Sequence, residues 1–291
     1  METVLALDVG GTKLAAGVVA ADGRLLARAT RPTPDGPDGE LVLGALLAAA
    51  AEVRSGAEVA CGVGSGGPMT AGGERVSPLN IVGWQDFPLR ARLAGALDLE
   101  VHVDNDAKAL ALGEGWVGAA TGERNYIAMV VSTGVGGGIV LDGRLLDGAN
   151  GNAGHIGHVV VEPEGRHCAC GGQGCLEAEV SGTAIAARTG APPADADEAE
   201  RRRAGRLVGR AVGSTAALLD LRLAVVAGSV ALGFGDVFFS AAQEELDRIA
   251  RIGFARGARI RPGGLGDQGP LVGAAAVAWR ALGRPVLATA D

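Results

Sequence analysis

One short pattern occurs twice in the 291-residue chain, and it limits the fold more than any other feature. An apolar run, Val4–Leu7, meets a glycine turn; Leu14–Val19 follows, and Asp22-Gly23 leads into Arg24–Ala29. In the second half, Tyr126–Val131 meets Ser132–Gly138, Ile139–Leu141 follows, and Asp142-Gly143 makes the next turn. Asp-Gly between apolar runs is a hairpin signal, because both residues tolerate positive φ. A chain that repeats strand, glycine turn, strand, Asp-Gly in this way is expected to build two related α/β halves.

Apolar spacing predicts helices over Glu40–Arg54, Phe87–Leu97, Ala107–Val117, Glu198–Leu221, Asp236–Arg251 and Pro270–Leu282. Short buried strands are expected at Val59–Val63, Glu100–Val103 and Ala224–Val226, and a junction between halves near residues 116–124. Residues Asn150–Cys175 show little regular pattern, and 191–197 reads as a surface loop. With 48% hydrophobic and 20% charged residues, the chain can fill a sizeable core. No apolar run reaches the ~18–20 residues of a membrane span. Nor does a basic segment precede Val4, so a cytoplasmic protein is expected. A net charge of −7 argues against a general nucleic-acid binder.

Four constellations carry chemistry. In Asp8-Val9-Gly10-Gly11-Thr12-Lys13, backbone N–H groups, a hydroxyl and a cation are offered to a phosphate, beside a carboxylate suited to Mg²⁺. The plain alternative is a tight hairpin. Ser132-Thr133-Gly134-Val135-Gly136-Gly137-Gly138 reads as a second phosphate cradle, since so many glycines cost backbone entropy. Two cradles at matching places suggest a nucleotide held between the halves. Asn105-Asp106 ends a strand on the seam. Its carboxylate is placed to take a proton from an attacking hydroxyl, or merely to cap the next helix. Finally, His158, Cys168, Cys170 and Cys175 form a Cys₃His set suited to structural Zn²⁺, with His167 as an alternative nitrogen ligand and metal-free thiols as the plain one. Cys61 falls in a strand and reads as core. Lys108 reads as a solvated helix side chain.

These residues, taken in order, resemble the ROK family of sugar kinases and sugar-responsive repressors. The likeness runs through Asp8–Lys13, Asn80 in Pro78–Trp84, Asn105-Asp106-Ala107, Ser132–Gly138, Gly154–His158, Cys168–Glu177 and Val226–Val230. It implies an actin-like, ribonuclease-H-like α/β fold of two lobes with a central cleft. The first lobe would span 1–118, completed by a C-terminal helix over 277–291. The second would span 119–276, with the zinc loop and the nucleotide site. The implied reaction moves the γ-phosphate of ATP to the 6-hydroxyl of a hexose, as in a glucokinase, with Asp106 as base. Asn80, Asn105, Asp106, His155, His158 and Glu177 match sugar-holding positions. Asp8, Gly10, Gly11, Thr12, Lys13, Thr133, Gly134, Gly228 and Ser229 match the ATP and magnesium side. His158, Cys168, Cys170 and Cys175 match the zinc ligands. A homodimer or tetramer is implied, with no nucleic acid or membrane partner.

The family's glucokinases usually carry Glu-x-Gly-His where this chain has His155-Ile156-Gly157-His158. That wording resembles the family's N-acetylmannosamine kinases, which makes an N-acetylhexosamine the alternative substrate. Family repressors carry a DNA-binding segment ahead of the first phosphate turn. Here only seven residues precede Asp8, which favours a kinase over a regulator.

Overall fold

The computed structural model describes residues 1–288. Its first half runs β1 (Thr3–Val9), β2 (Lys13–Ala20), β3 (Leu25–Pro32), α1 (Gly39–Val53), β4 (Cys61–Ser65), α2 (Leu89–Leu97), β5 (Val101–Asn105) and α3 (Asp106–Val117). The second half runs β6 (Tyr126–Val131), β7 (Val135–Leu141), β8 (Arg144–Leu145), α4 (Leu176–Val180), α5 (Gly182–Thr189) and α6 (Glu198–Leu219). It ends with β9 (Leu223–Ala227), α7 (Ser229–Ile249), β10 (Arg259–Pro262) and α8 (Gly269–Ala281).

Each half carries one five-stranded sheet of matching topology, β3-β2-β1-β4-β5 and β8-β7-β6-β9-β10. In both, the first three strands form an antiparallel meander and the last two add in parallel to the first. The second Asp-Gly turn behaves as the sequence predicts, with Asp142 and Gly143 both at positive φ, 51° and 74°; in the first, Gly23 alone does, at 86°. The near-continuous apolar runs of β1, β6 and β9 reflect sheets covered on both faces. Helices α1 and α2 cover one face of the first sheet, and α6 and α7 one face of the second. Helices α3 and α8 fill the space between the sheets, in a shared core with Val4, Ala6, Tyr126, Val140 and Val225.

Two buried polar groups pin this middle layer. Tyr126 donates from its hydroxyl to the carbonyl of Ala111 at 2.7 Å. The fully buried Glu114 carboxylate accepts from the backbone N–H groups of Ala119 (2.7 Å), Gly264 (3.0 Å) and Leu265 (3.3 Å). Glu114 thereby ties the end of α3 to the loop that enters α8.

Several expectations are corrected. Gly136–Gly138 lie inside β7 and not in a phosphate turn. Gly136 and Gly138 are small because α3 presses on this strand: a Cβ on Gly138 would sit 2.7 Å from the Ala111 Cβ, and one on Gly136 would sit 2.9 Å from the Ala107 Cβ. Overpacking of this kind costs about 1–3 kcal/mol. Helix α7 begins at Ser229 instead of Asp236, because the φ of +60° at Gly235 kinks a single long helix and hides its first turns from periodicity. Helices α4 and α5 and strand β10 were not expected. Helix α8, which packs on β1 and β4, matches the helix expected over Pro270–Leu282; of the segment 277–291 expected to complete the first lobe only 277–281 is helical among the described residues, and 289–291 lie outside them. Cys61 is fully buried in β4 as expected.

Candidate active site

The C-terminal ends of the parallel strands converge, which is where open α/β sheets present ligand-binding loops. Register sets Asp8 of β1 beside Gly64 of β4, and Gly64 beside Asp104 of β5; Ser65 pairs with Asn105. The side chain of Asn105 caps α3, its Oδ1 accepting from the N–H groups of Ala107 (3.1 Å) and Lys108 (3.3 Å). Capping thus falls to Asn105, and Asp106 is the first residue of the helix. Asp106 Oδ1 accepts from its neighbour Ala107 N–H at 2.8 Å, and its second oxygen has no partner among the described residues.

Burial raises the pKa of Asp106, and the Ala107 N–H and the nearby His155 only partly offset it. Asp8 is pushed up to about 7, first by burial and then by the negative charge of Asp106, with Lys13 opposing. The Asp8 carboxylate has no hydrogen-bond partner among the described residues. Two carboxylates held together in a poorly solvated cleft suit a divalent cation or a transferable proton.

Around Asp8 the chain makes a tight turn, with Gly10 N–H donating to the Lys13 carbonyl at 3.1 Å. Thr33 braces it through Oγ1 to the Gly10 carbonyl (2.7 Å) and N–H to the Thr12 carbonyl (3.1 Å). The exposed Asn80 comes against this turn: a Cβ on Gly11 would lie 2.6 Å from the Asn80 Cβ. Thr12 and Lys13 are exposed beside the turn.

The second turn is shorter than expected, Ser132-Thr133-Gly134, closed by Ser132 N–H to the Gly134 carbonyl at 2.9 Å. It faces the start of α7, where the Ser132 and Ser229 hydroxyls lie 2.9 Å apart. Gly228, at φ 100°, makes the sharp entry into that helix. Glu177 of α4 reaches the same turn and accepts from Val135 N–H at 2.8 Å. Its other oxygen is without a partner among the described residues.

His155 and His158 flank a short 3₁₀ turn, whose i, i+3 spacing sets their rings parallel within 15° and 6.1 Å apart. His155 Nδ1 lies 2.9 Å from the Asn152 carbonyl, which can only accept, so Nδ1 carries the proton and Nε2 is left as an acceptor. A Cβ on Gly67 would lie 3.6 Å from His155 Nε2 and 3.5 Å from Asn105 Nδ2, so the two side chains meet beside this glycine. In the adjacent loop, the ligand atoms of His158, Cys168, Cys170 and Cys175 all lie within 4.8 Å of one another. The separations of 3.8 Å for Cys170–Cys175 and for Cys168 to His158 Nδ1 match the ~3.6–3.8 Å edges of a tetrahedral Zn²⁺ site. His167 is not in the cluster. The donor set therefore fits zinc.

Lys108 departs from expectation. It is not solvated but 2% exposed, held by Asp104 and Asp147. Asp104, four residues earlier, is a local signal for an ion pair, whereas Asp147 comes from a distant loop that covers the lysine.

The match to known proteins spans nearly all of the chain. The ROK family profile fits residues 4–281. An N-acetylmannosamine kinase of Yersinia pseudotuberculosis is 38% identical over 269 residues, 85% of this chain and 90% of that protein. The crystal structure of a ROK hexokinase from Thermus thermophilus superposes with a TM-score of 0.81 at 36% identity, covering 97% of this chain and 99% of that one. A ROK family glucokinase from Streptomyces griseus, in complex with glucose and AMPPNP, also gives 0.81, at 31% identity, covering 94% and 98%. Twin sheets of matching topology and this profile lead to one assignment: the chain belongs to the ROK family and has its actin-like ATPase fold.

Proposed function

We propose that this protein is an ATP-dependent hexose 6-kinase. The observation that carries the reading is the Asp8–Asp106 pair at the strand ends, with the Ser132–Gly134 turn on the same edge of the second sheet. Asp106 would deprotonate the 6-hydroxyl for in-line attack on the γ-phosphate, and its raised pKa makes it a stronger base than an ordinary carboxylate. Asp8 would hold Mg²⁺, which offsets phosphate charge when bound. Gly10, Gly11, Thr12, Lys13, Thr133 and Gly134 would line the phosphates, and Gly228 and Ser229 would present the N-terminus of α7 to the nucleotide. Closure of the lobes, 1–118 with α8 against 119–268, would exclude water before transfer.

The sugar would lie against Asn80, Asn105, His155, His158 and Glu177. His158 would bind zinc through Nδ1, leaving its other nitrogen for a hydroxyl, while the ion fixes the loop from Cys168 to Cys175. Glucose is the first substrate of this reading, as for the Streptomyces griseus relative. His155 favours a second substrate, N-acetylmannosamine. Its Nε2 offers a single acceptor where a carboxylate offers two oxygens, which suits an acetamido N–H, and the Yersinia relative is an N-acetylmannosamine kinase. A coupled assay of ADP release with glucose, mannose, N-acetylglucosamine and N-acetylmannosamine tests both. A higher kcat/KM for glucose supports the first substrate, and one for N-acetylmannosamine the second. No sugar-dependent ADP release at all would contradict the kinase reading.

A further inference from the structure

We propose that Lys108 is a positioning residue that fixes the tautomer and place of His155, and so tunes the sugar pocket. The inference deepens the sugar-kinase reading and rests on it for its functional arm. Lys108 lies two residues past Asp106 on α3, and its side chain is 3% exposed. Its ammonium group meets three oxygens: Asp104 Oδ1 at 2.9 Å, Asp147 Oδ1 at 2.8 Å and the Gly151 carbonyl at 3.2 Å. A lysine has three donors, so this set saturates it. An arginine, with a planar fork of five donors, does not match three acceptors gathered around one point. The chain holds 24 arginines and only two lysines, and one of those two stands here.

The loop that Lys108 anchors leads to the pocket. Asp147 accepts from Ala153 N–H through its carbonyl at 3.0 Å, closing the loop on itself. Asn152 crosses to the first lobe, donating from Nδ2 to the Met69 carbonyl at 3.2 Å. The carbonyl of that same Asn152 receives His155 Nδ1 at 2.9 Å. Lys108 thus holds the root of a loop whose far end decides which nitrogen of His155 faces the sugar. Arg280, 3.9 Å from Asp147 Oδ2, is the other cation on that carboxylate.

Asp147→Asn is the gentler test, since Asp147 is 56% exposed at its side chain, and Lys108→Met is the harsher one. In ¹⁵N spectra of histidine-labelled, zinc-loaded protein without sugar, with His155 assigned from His155→Ala, the wild type should show one Nδ1-protonated tautomer. Asp147→Asn should show a mixture of tautomers. With the preferred sugar, Asp147→Asn should raise the sugar KM about tenfold, with kcat and the ATP KM within about twofold. In a His155→Ala background the same substitution should add less than about twofold, because Lys108 acts through His155. An unchanged His155 tautomer in both variants would overturn the proposal whether or not the protein is a kinase. A sugar KM effect equally large without His155 would overturn it as well. Absence of turnover on any sugar in the wild type, with the tautomer shift present, would count against the kinase reading and leave the positioning role standing.

Discussion

Asp8 is expected to weaken the fold it belongs to, and its removal should stabilise the free protein. An ordinary aspartate titrates near 3.8 in the unfolded chain, whereas burial and the charge of Asp106 push Asp8 to about 7 in the fold. The sign follows from proton linkage: below pH 3.8 both states are protonated and the group is neutral in its effect. Between 3.8 and 7 the unfolded chain releases its proton and the folded one keeps it, so stability falls as pH rises, and above 7 the whole loss is present. The difference corresponds to about 4 kcal/mol at most, and to less where water relaxes around the charge. Asp8→Asn removes the charge and keeps the shape. Urea unfolding at pH 8 and at pH 4, in magnesium-free buffer without chelator so that zinc is retained, reads the effect. The variant should be more stable than wild type by about 2–4 kcal/mol at pH 8, and by much less at pH 4. Addition of Mg²⁺–ATP should then stabilise wild type more than the variant. Equal stabilities at pH 8, or an advantage that is the same at both pH values, would refute the argument that Asp8 is held at an electrostatic disadvantage for the sake of binding.

The metal loop and the middle layer make further predictions. Cys170→Ser should lower zinc content measured by atomic absorption and weaken sugar binding measured by calorimetry together, since His158 belongs to both; full sugar affinity in zinc-free protein would break that link. Glu114→Gln should lower stability by about 1–3 kcal/mol, because an amide nitrogen then confronts N–H donors that the carboxylate accepted. A thermal midpoint unchanged from wild type would show that Glu114 does not clasp α3 to the loop before α8.

Much of the architecture is legible because it rests on local signals. Apolar runs mark β1, β6 and β9, Asp-Gly marks the hairpin turns, and apolar spacing finds α1, α3 and α6. What escapes is set by contacts between distant segments. The glycines of β7 resemble a loop in sequence, yet they form a strand, because α3 at Gly136 and Gly138, and Gly154 and Ile156 at Gly137, leave no room for side chains. Lys108 resembles a solvated residue, and only the fold brings Asp147 and Gly151 over it. The zinc set was readable because three of its four ligands are close in sequence and thiols in such spacing have few other uses. The pairing of Asp8 with Asp106 needed the parallel register of β1, β4 and β5 to become visible.

The central claim is that Asp106 removes the proton from the sugar hydroxyl during phosphoryl transfer. Asp106→Asn tests it most directly, read as the single-turnover rate of γ-phosphate transfer from ATP to the preferred sugar, beside the sugar Kd from calorimetry. The account predicts a fall in rate of about 10²–10⁴-fold, with sugar affinity changed by a few-fold at most. Transfer at a rate near that of wild type would contradict it.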